Sequence, residues 1–208
     1  NSVLKQSHKA KEIIVIDDGS TDGTWDEIIK FDQIVPLRNP TNKGVSAARN
    51  KGIHNATAPW ISFLDSDDIW APNKLENQVA FLKKYKFYNI LQSQEKWIRN
   101  GKFVNACKHH EKKMGWIFSD CLERCMITPS SVLLTKALLE EIEGFDESYP
   151  ACEDYDMWLK IASKYPIGLD ETKSLTKYGG HEDQLSRKFS VMDQFRIRAL
   201  FEAYKRET

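Results

Sequence analysis

The sequence contains no apolar run approaching the roughly 20 residues that a helix needs to span a bilayer. Its opening, NSVLKQ, has none of the features of a signal peptide and reads as the end of a helix. Neither sign of charge is in excess: 30 Lys and Arg stand against 30 Asp and Glu, for a formal net charge of zero. Without a basic stripe interleaved with aromatics, a nucleic-acid or general polyanion binder is excluded. Cysteine is scarce. Cys107, Cys121, Cys125 and Cys152 are too few to form a disulfide framework in a chain of this length, and the Cys121/Cys125 spacing has no second pair to complete a zinc site. They read as reduced core or surface thiols. Repeats and low-complexity tracts are also lacking. What is present, 208 residues with 41% hydrophobic and 29% charged, is an ordinary globular composition that can bury a substantial core.

The first half alternates strand-like and helix-like segments. Ile13 to Ile16 is a β-branched apolar run, long enough for a buried strand. After a Gly/Ser/Thr/Asp turn, Trp25 to Phe31 shows helical spacing, Ile34 to Leu37 is a second short strand, and Val45 to Ile53 reads as a helix. Trp60 to Leu64 (WISFL) is another buried strand, and Asn73 to Tyr85 is an amphipathic helix entered through Pro72. The second half is less regular: a hairpin or strands around Asn100-Gly101, a strand from Ser130 to Leu134, and helices over Lys136 to Ile142, Tyr155 to Tyr165 and Met192 to Tyr204. Strands alternating with helices predict an α/β fold with a mostly parallel central sheet flanked by helices. No linker separates the halves, so one domain over 1–208 is expected, with lobes at 1–100 and 101–208.

Two acidic clusters carry the chemistry. The first strand runs straight into Asp17-Asp18, and WISFL runs straight into Asp65-Ser66-Asp67-Asp68. In open parallel sheets, ligands bind outside the carboxyl ends of the strands, so both clusters are expected in one crevice. Several carboxylates in one cleft repel unless a cation compensates. Mg²⁺ and Mn²⁺ prefer oxygen ligands and are commonly held by one or two carboxylates plus substrate phosphates, which suits Asp65-x-Asp67. Of two rival readings, the calcium loop fails on detail and the phosphatase fits the pattern poorly. The stretch from Asp18 to Asp26 resembles a calcium loop until its twelfth position, where Ile29 stands in place of glutamate. A phosphatase with a strand-end aspartate nucleophile wants Asp-x-Asp-Gly-Thr, which neither cluster supplies.

IIVIDDGSTDGT (13–24), NKGVSAARNKGI (42–53), FLDSDDIWAPNKLE (63–76) and GFDESYPACEDYDMWLKI (144–161) together resemble the inverting family 2 glycosyltransferases of GT-A fold, a Rossmann-like nucleotide-diphospho-sugar architecture. The four segments stand in family order and spacing and cover nearly the whole chain. The resemblance implies that Asp17 and Asp18 are the strand-end acids, with Asp18 the better candidate for contacting the nucleotide. Asn42 and Arg49 are placed on the nucleotide side, where Arg49 is expected to pair with Asp18. Asp65 and Asp67 match the DxD, with Asp67 as the direct metal ligand, and Asp68 is grouped with the substrate-binding acids. Glu153-Asp154 matches the pair whose aspartate is the general base. The family's first strand, which lies in the middle of the sheet, has no counterpart in these residues, so either upstream residues supply it or the edge is covered otherwise.

The implied reaction is transfer of a sugar from a nucleoside-diphosphate donor, a UDP-sugar by expectation, to an acceptor hydroxyl with inversion, using Mn²⁺ or Mg²⁺. The acceptor is expected to be a saccharide, lipid-linked or not, and the expected location is cytoplasmic, with peripheral association at the inner membrane surface. His181, in YGGHED, is a candidate for reaching the metal or diphosphate, whereas His109 and His110 read as solvated loop. Trp116 and Trp158 are candidates for stacking on a sugar, although the helical phase of Trp158 favours the core. A non-catalytic sugar-nucleotide- or glycan-binding relative is one alternative, and the intact DxD and Glu-Asp pair argue against it; a metal-dependent phosphohydrolase, which shares the acids, is the other.

Overall fold

The computed structural model describes residues 1–104, 111–180 and 191–207. Eight strands are placed: β1 (Ile14–Asp17), β2 (Val35–Arg38), β3 (Trp60–Ile61), β4 (Ile69–Trp70), β5 (Ile90–Arg99), β6 (Lys102–Val104), β7 (Leu133–Thr135) and β8 (Gly168–Gly179). The helices are α1 (Thr24–Ile28), α2 (Val45–Asn55), α3 (Lys74–Lys84), α4 (Phe118–Glu123), α5 (Lys136–Glu141), α6 (Glu153–Ala162) and α7 (Asp193–Glu207), with a 3₁₀ turn at Pro129–Ser131.

The α/β class stands, but the sheet is mixed rather than mostly parallel. β1 and β2 pair in parallel as a separate two-stranded ribbon, in register from Ile14↔Val35 to Asp17↔Arg38. The larger sheet runs β3-β7-β5-β8-β4, with β6 against β5; within it only β5/β8 is parallel. Connection length explains the difference. A parallel pair needs a crossover of a dozen or more residues, whereas β5 and β6 are joined by Asn100-Gly101 alone. Both turn residues have positive φ, 49° and 72°, as a tight right-twisted hairpin requires.

Other expectations shift in detail. NSVLKQ forms a single turn rather than a helix end, closed by Lys5 N donating to Asn1 O at 3.2 Å. Its Gln6 side chain is buried, donates to Ala71 O (2.7 Å) and accepts from Leu75 N (3.1 Å), tying the segment to the start of α3. WISFL is laddered only over Trp60–Ile61, and β7 begins at Leu133 because Pro129–Ser131 turns. The twelve-residue β8 escapes sequence reading: it carries Asp170, Glu171, Lys173 and Lys177, and its apolar alternation is interrupted by a bulge against Ser93–Glu95.

The core lies between the larger sheet and α6, which is buried nearly all round: Tyr155, Met157, Trp158, Leu159 and Ile161 are at most 2% exposed. Trp158 is therefore core and not a sugar platform, while Trp116 is exposed but does not line the main cavity.

Among the described residues, one edge of β1 and one edge of β3 have no ladder partner. Between the ribbon and the 60–64 segment runs a cavity of about 2220 Å³, walled there by Ile14, Ile16, Trp60, Ile61 and Phe63.

Candidate active site

The same cavity reaches the carboxyl ends of β1 and β3, where Asp18, Asn42, Arg49, Asp65, Asp67, Asp68, Glu153 and Asp154 all line it. The two acidic clusters therefore do share one crevice. Their environments differ sharply.

Asp17 is 3% exposed and is not part of the cavity lining. It accepts from Ser20 N at 3.0 Å and pairs with Arg38 Nε at 2.9 Å. Burial alone raises its pKa, but the Ser20 hydrogen bonds and the Arg38 charge outweigh burial and hold the carboxyl below its ordinary value. Asp18 holds the NKG loop. It accepts from Gly44 N (2.8 Å), Lys43 N (3.1 Å) and Asn39 Nδ2 (2.7 Å), fixing the backbone N–H groups at the entry to α2. Gly19 between the acids and the turn has φ +79°, and a Cβ there would stand 2.6 Å from Thr41 C and 2.7 Å from Asn42 N. Only glycine lets the two loops approach this closely.

The expected pairing of Arg49 with Asp18 is not formed. Arg49, on α2, donates from Nη2 to Asp65 Oδ1 and from Nη1 to Glu153 Oε1, both at 2.7 Å. Its guanidinium also lies 5.1 Å from the Phe145 ring centroid. The physical reason is charge: Asp18 is already satisfied by three donors, whereas Asp65 and Glu153 converge on the buried face of α2 and need a cation. Arg49 thereby ties the DxD turn to the start of α6. Burial opposes its charge, but Asp65, Glu153 and Asp154 outweigh burial and raise its pKa.

Asp65 N donates to Ser130 Oγ at 3.0 Å, and Asp68 N to Asp65 O at 3.1 Å, so the Asp65–Asp68 turn is fixed to the 3₁₀ turn behind it. Asp67 is exposed toward the cavity. Asp68 is only 7% exposed, and burial, with the nearby charges of Asp67 and Asp65, pushes its carboxyl up to about 6 against the Ser130 hydrogen bond and Lys177. Ser130 is thus a supporting residue whose hydroxyl serves two acids.

Glu153 and Asp154 open α6 from an unusual start. Cys152 at its N-cap has φ 60° and ψ 22°, a left-handed conformation costing about 1–2 kcal/mol for a residue with a Cβ. The Cys152 side chain makes no cap hydrogen bond, and a first-turn N–H is met by Asp154 instead. Asp154 Oδ1 accepts from Tyr155 N at 2.7 Å, and Cys125 Sγ approaches Asp154 Oδ2 at 3.7 Å. Burial raises the Asp154 pKa beyond what Arg49, the Tyr155 N–H and Lys177 recover, and burial with the Asp154 charge raises Glu153 despite Arg49. The helix-dipole preference for ionised Asp154 is therefore overridden by burial.

Two residues of the cavity had no sequence signal. Lys177 sits on β8, which periodicity does not reveal, and Cys125 looked like half of an uncompleted CxxxC. Both line the cavity. Cys121, Cys125 and Cys152 are free thiols. His181, His109, His110 and Cys107 lie outside the described residues. Among the described residues no three His, Cys, Asp or Glu side chains form a ready-made metal cage. Asp65 and Asp67 offer the kind of donor set that Mg²⁺ or Mn²⁺ completes with substrate phosphates and water.

The sequence profile described as glycosyl transferase family 2 matches residues 1–140. An uncharacterized glycosyltransferase of Rickettsia felis is 37% identical over 182 residues, covering 86% of the chain and 30% of that protein. The Escherichia coli UDP-Glc:alpha-D-GlcNAc-diphosphoundecaprenol beta-1,3-glucosyltransferase WfaP is 35% identical over 170 residues, covering 78% of the chain and 63% of WfaP. The chain thus spans less than two thirds of either relative. Among solved structures, Staphylococcus aureus TarS 1–349 in complex with UDP-GlcNAc matches with a TM-score of 0.76 at 21% identity, covering 90% of the chain and 56% of that one. The fold is therefore shared with TarS.

Proposed function

The chain belongs to glycosyltransferase family 2, and from that premise we propose that it transfers a sugar from a UDP-sugar donor to an acceptor hydroxyl with inversion, Asp154 acting as general base. What supports the reading most is the Arg49 bridge, which brings Asp65 of the DxD turn and Glu153, the neighbour of Asp154, to one guanidinium in one cavity.

An acceptor hydroxyl is a weak nucleophile until its proton has a destination. Asp154, raised in pKa by burial and lining the cavity, takes that proton, while the Arg49 charge offsets part of the cost of ionising it and Glu153. The Asp18-held loop presents Asn42 and the start of α2 to the nucleotide. Asp65 and Asp67 would hold Mn²⁺ or Mg²⁺, and such an ion would supply Lewis-acid stabilisation of the charge gathering on the leaving group. The fit rests on two oxygen ligands at a strand end that leave room for phosphate oxygens.

A saccharide carried on a lipid diphosphate is the proposed acceptor class, by likeness to WfaP, whose name specifies such an acceptor. The reaction so proposed belongs to surface-polysaccharide assembly at the inner face of a membrane. Among the described residues no helix is long and apolar enough to cross that membrane.

Asp154→Asn tests the assignment. It should bind UDP in the presence of Mn²⁺ as the parent does while transfer falls by about 10²–10⁴-fold, the usual contribution of a positioned base. Normal transfer by this variant removes Asp154 from the mechanism.

A further inference from the structure

Lys177 is brought to the site by strand pairing. β4 and β8 run antiparallel with Ile69 opposite Thr176 and Trp70 opposite Leu175. One step further along that register, Lys177 falls beside Asp68, at the end of the Asp65–Asp68 turn, and it lines the same cavity. On its other side β8 pairs with β5, with Lys177 opposite Trp97 and its Nζ 6.0 Å from the indole centroid.

The neighbouring acid on β5 makes its direct contacts with other groups. Glu95 Oε1 accepts from Trp97 Nε1 at 2.6 Å, and Glu95 Oε2 pairs with Lys112 Nζ at 2.9 Å. Both Glu95 oxygens are thus engaged by others. Toward the cavity, Lys177 adjoins Asp68 in the β4/β8 register; burial opposes its charge, but Glu95 first, and then Asp68, Asp154 and Asp65, outweigh burial and raise its pKa. The ammonium is therefore held charged at the acidic end of the cleft.

A cleft that takes a diphosphate must offset the ligand's charge as well as its own carboxylates. Arg49 is committed to Asp65 and Glu153. We propose that Lys177 is a donor-contacting residue, its ammonium donating to the diphosphate oxygens of the nucleotide sugar and of the departing nucleoside diphosphate. This rests on the donor reading above and adds a residue from outside the recognised motifs. A lysine suits the task because it acts as a point charge with three rotatable donors, able to follow the phosphates as charge shifts to the leaving group.

The test compares UDP with uridine by calorimetry in Mn²⁺, on the parent, Lys177→Met and Lys177→Arg. Lys177→Met should weaken UDP binding about 10-fold or more and leave uridine binding unchanged, and Lys177→Arg should stay within about 3-fold of the parent. An independent readout needs no variant: reductive methylation of Lys177, followed by mass spectrometry, should be suppressed by UDP and not by uridine. Equal UDP affinity in parent and Lys177→Met, or methylation of Lys177 indifferent to UDP, overturns the assignment while leaving the transferase reading intact. Failure of the parent itself to bind UDP removes the UDP-donor reading, and the Lys177 assignment with it.

Discussion

Arg49 and Glu153 lie 104 positions apart in sequence, yet Nη1 of one stands 2.7 Å from Oε1 of the other, with both side chains at most 10% exposed. A buried pair is costly to assemble and far costlier to halve, because the survivor keeps its desolvation penalty without its partner. Arg49→Met should destabilise the fold by about 3–5 kcal/mol at pH 7. The folded-state pKa of Glu153 is already raised by burial and Asp154, so losing Arg49 raises it further. An acid with a raised folded pKa loses stability as pH climbs from its unfolded value through its folded one. The defect should therefore be smaller at pH 5 than at pH 8, and Glu153→Gln added to Arg49→Met should recover part of it. Thermal unfolding of the four proteins at both pH values decides; additive effects would show that the pair is not coupled.

The sequence placed three acids of this cavity, because their signals are local. Asp18, Asp65 and Asp67 follow apolar β-branched or aromatic runs that period and composition reveal, whereas Asp17 of the same run does not line the cavity. What could not be read is whatever depends on long-range pairing. The choice of Arg49 between Asp18 and Asp65 is decided by three donors to Asp18, two of them backbone N–H groups that no side-chain pattern reports. Lys177 was hidden because β8 reads as a polar segment, its strand character imposed by β5 and β4 on either side.

Asp154 should give the transfer reaction an acidic limb above the ordinary carboxylate range. Its pKa is raised by burial from a normal value of 3.8, and a base works only when deprotonated. Activity should thus fall as pH drops through that raised value, well before free aspartate titrates. A profile of kcat/KM taken with saturating metal checks this, and a rate still flat at about pH 4 would exclude Asp154 as the base.

Asp68 offers a stability test of opposite design. Its carboxyl is pushed up to about 6 by burial and by Asp67 and Asp65. Ionising it costs the folded state, so stability is lost as pH rises from 3.8 through about 6. Asp68→Asn removes that ionisation and should raise the melting temperature of the ligand-free protein at pH 8 more than at pH 5. An equal change at both values would show that Asp68 is not strained by its charge.

Gly19 and Gly23 form a matched pair for the loop that Asp18 organises. Both have positive φ, but a Cβ at Gly23 meets nothing within 4 Å, while one at Gly19 meets the backbone of Thr41 and Asn42. Gly23→Ala should cost about 1–2 kcal/mol through conformation alone. Gly19→Ala should cost more, since backbone has to move, and should weaken UDP binding by displacing the loop that presents Asn42. Calorimetry on the two variants separates strain from displacement; comparable UDP affinities would show that the loop is not part of the nucleotide site.

The unpaired edges of β1 and β3 set the last expectation. A two-stranded ribbon alone is marginal in water, and β1 has β2 on one side and the apolar cavity on the other. β5, by contrast, is bonded to β7, β8 and β6, with Ile90 and Leu91 fully buried. Local opening of the ribbon exposes little beyond Ile14 and Ile16, so it should occur well below the free energy of global unfolding. Amides of residues 13–17 should therefore exchange with solvent at least about 100-fold faster than those of 90–93, a gap of about 3 kcal/mol in opening free energy. Mass spectrometry of peptides covering the two strands reads the ratio directly. Equal protection of both would mean that the ribbon is held by more than its single ladder and its packing on α2, and that the cavity is not a line of weakness in this fold.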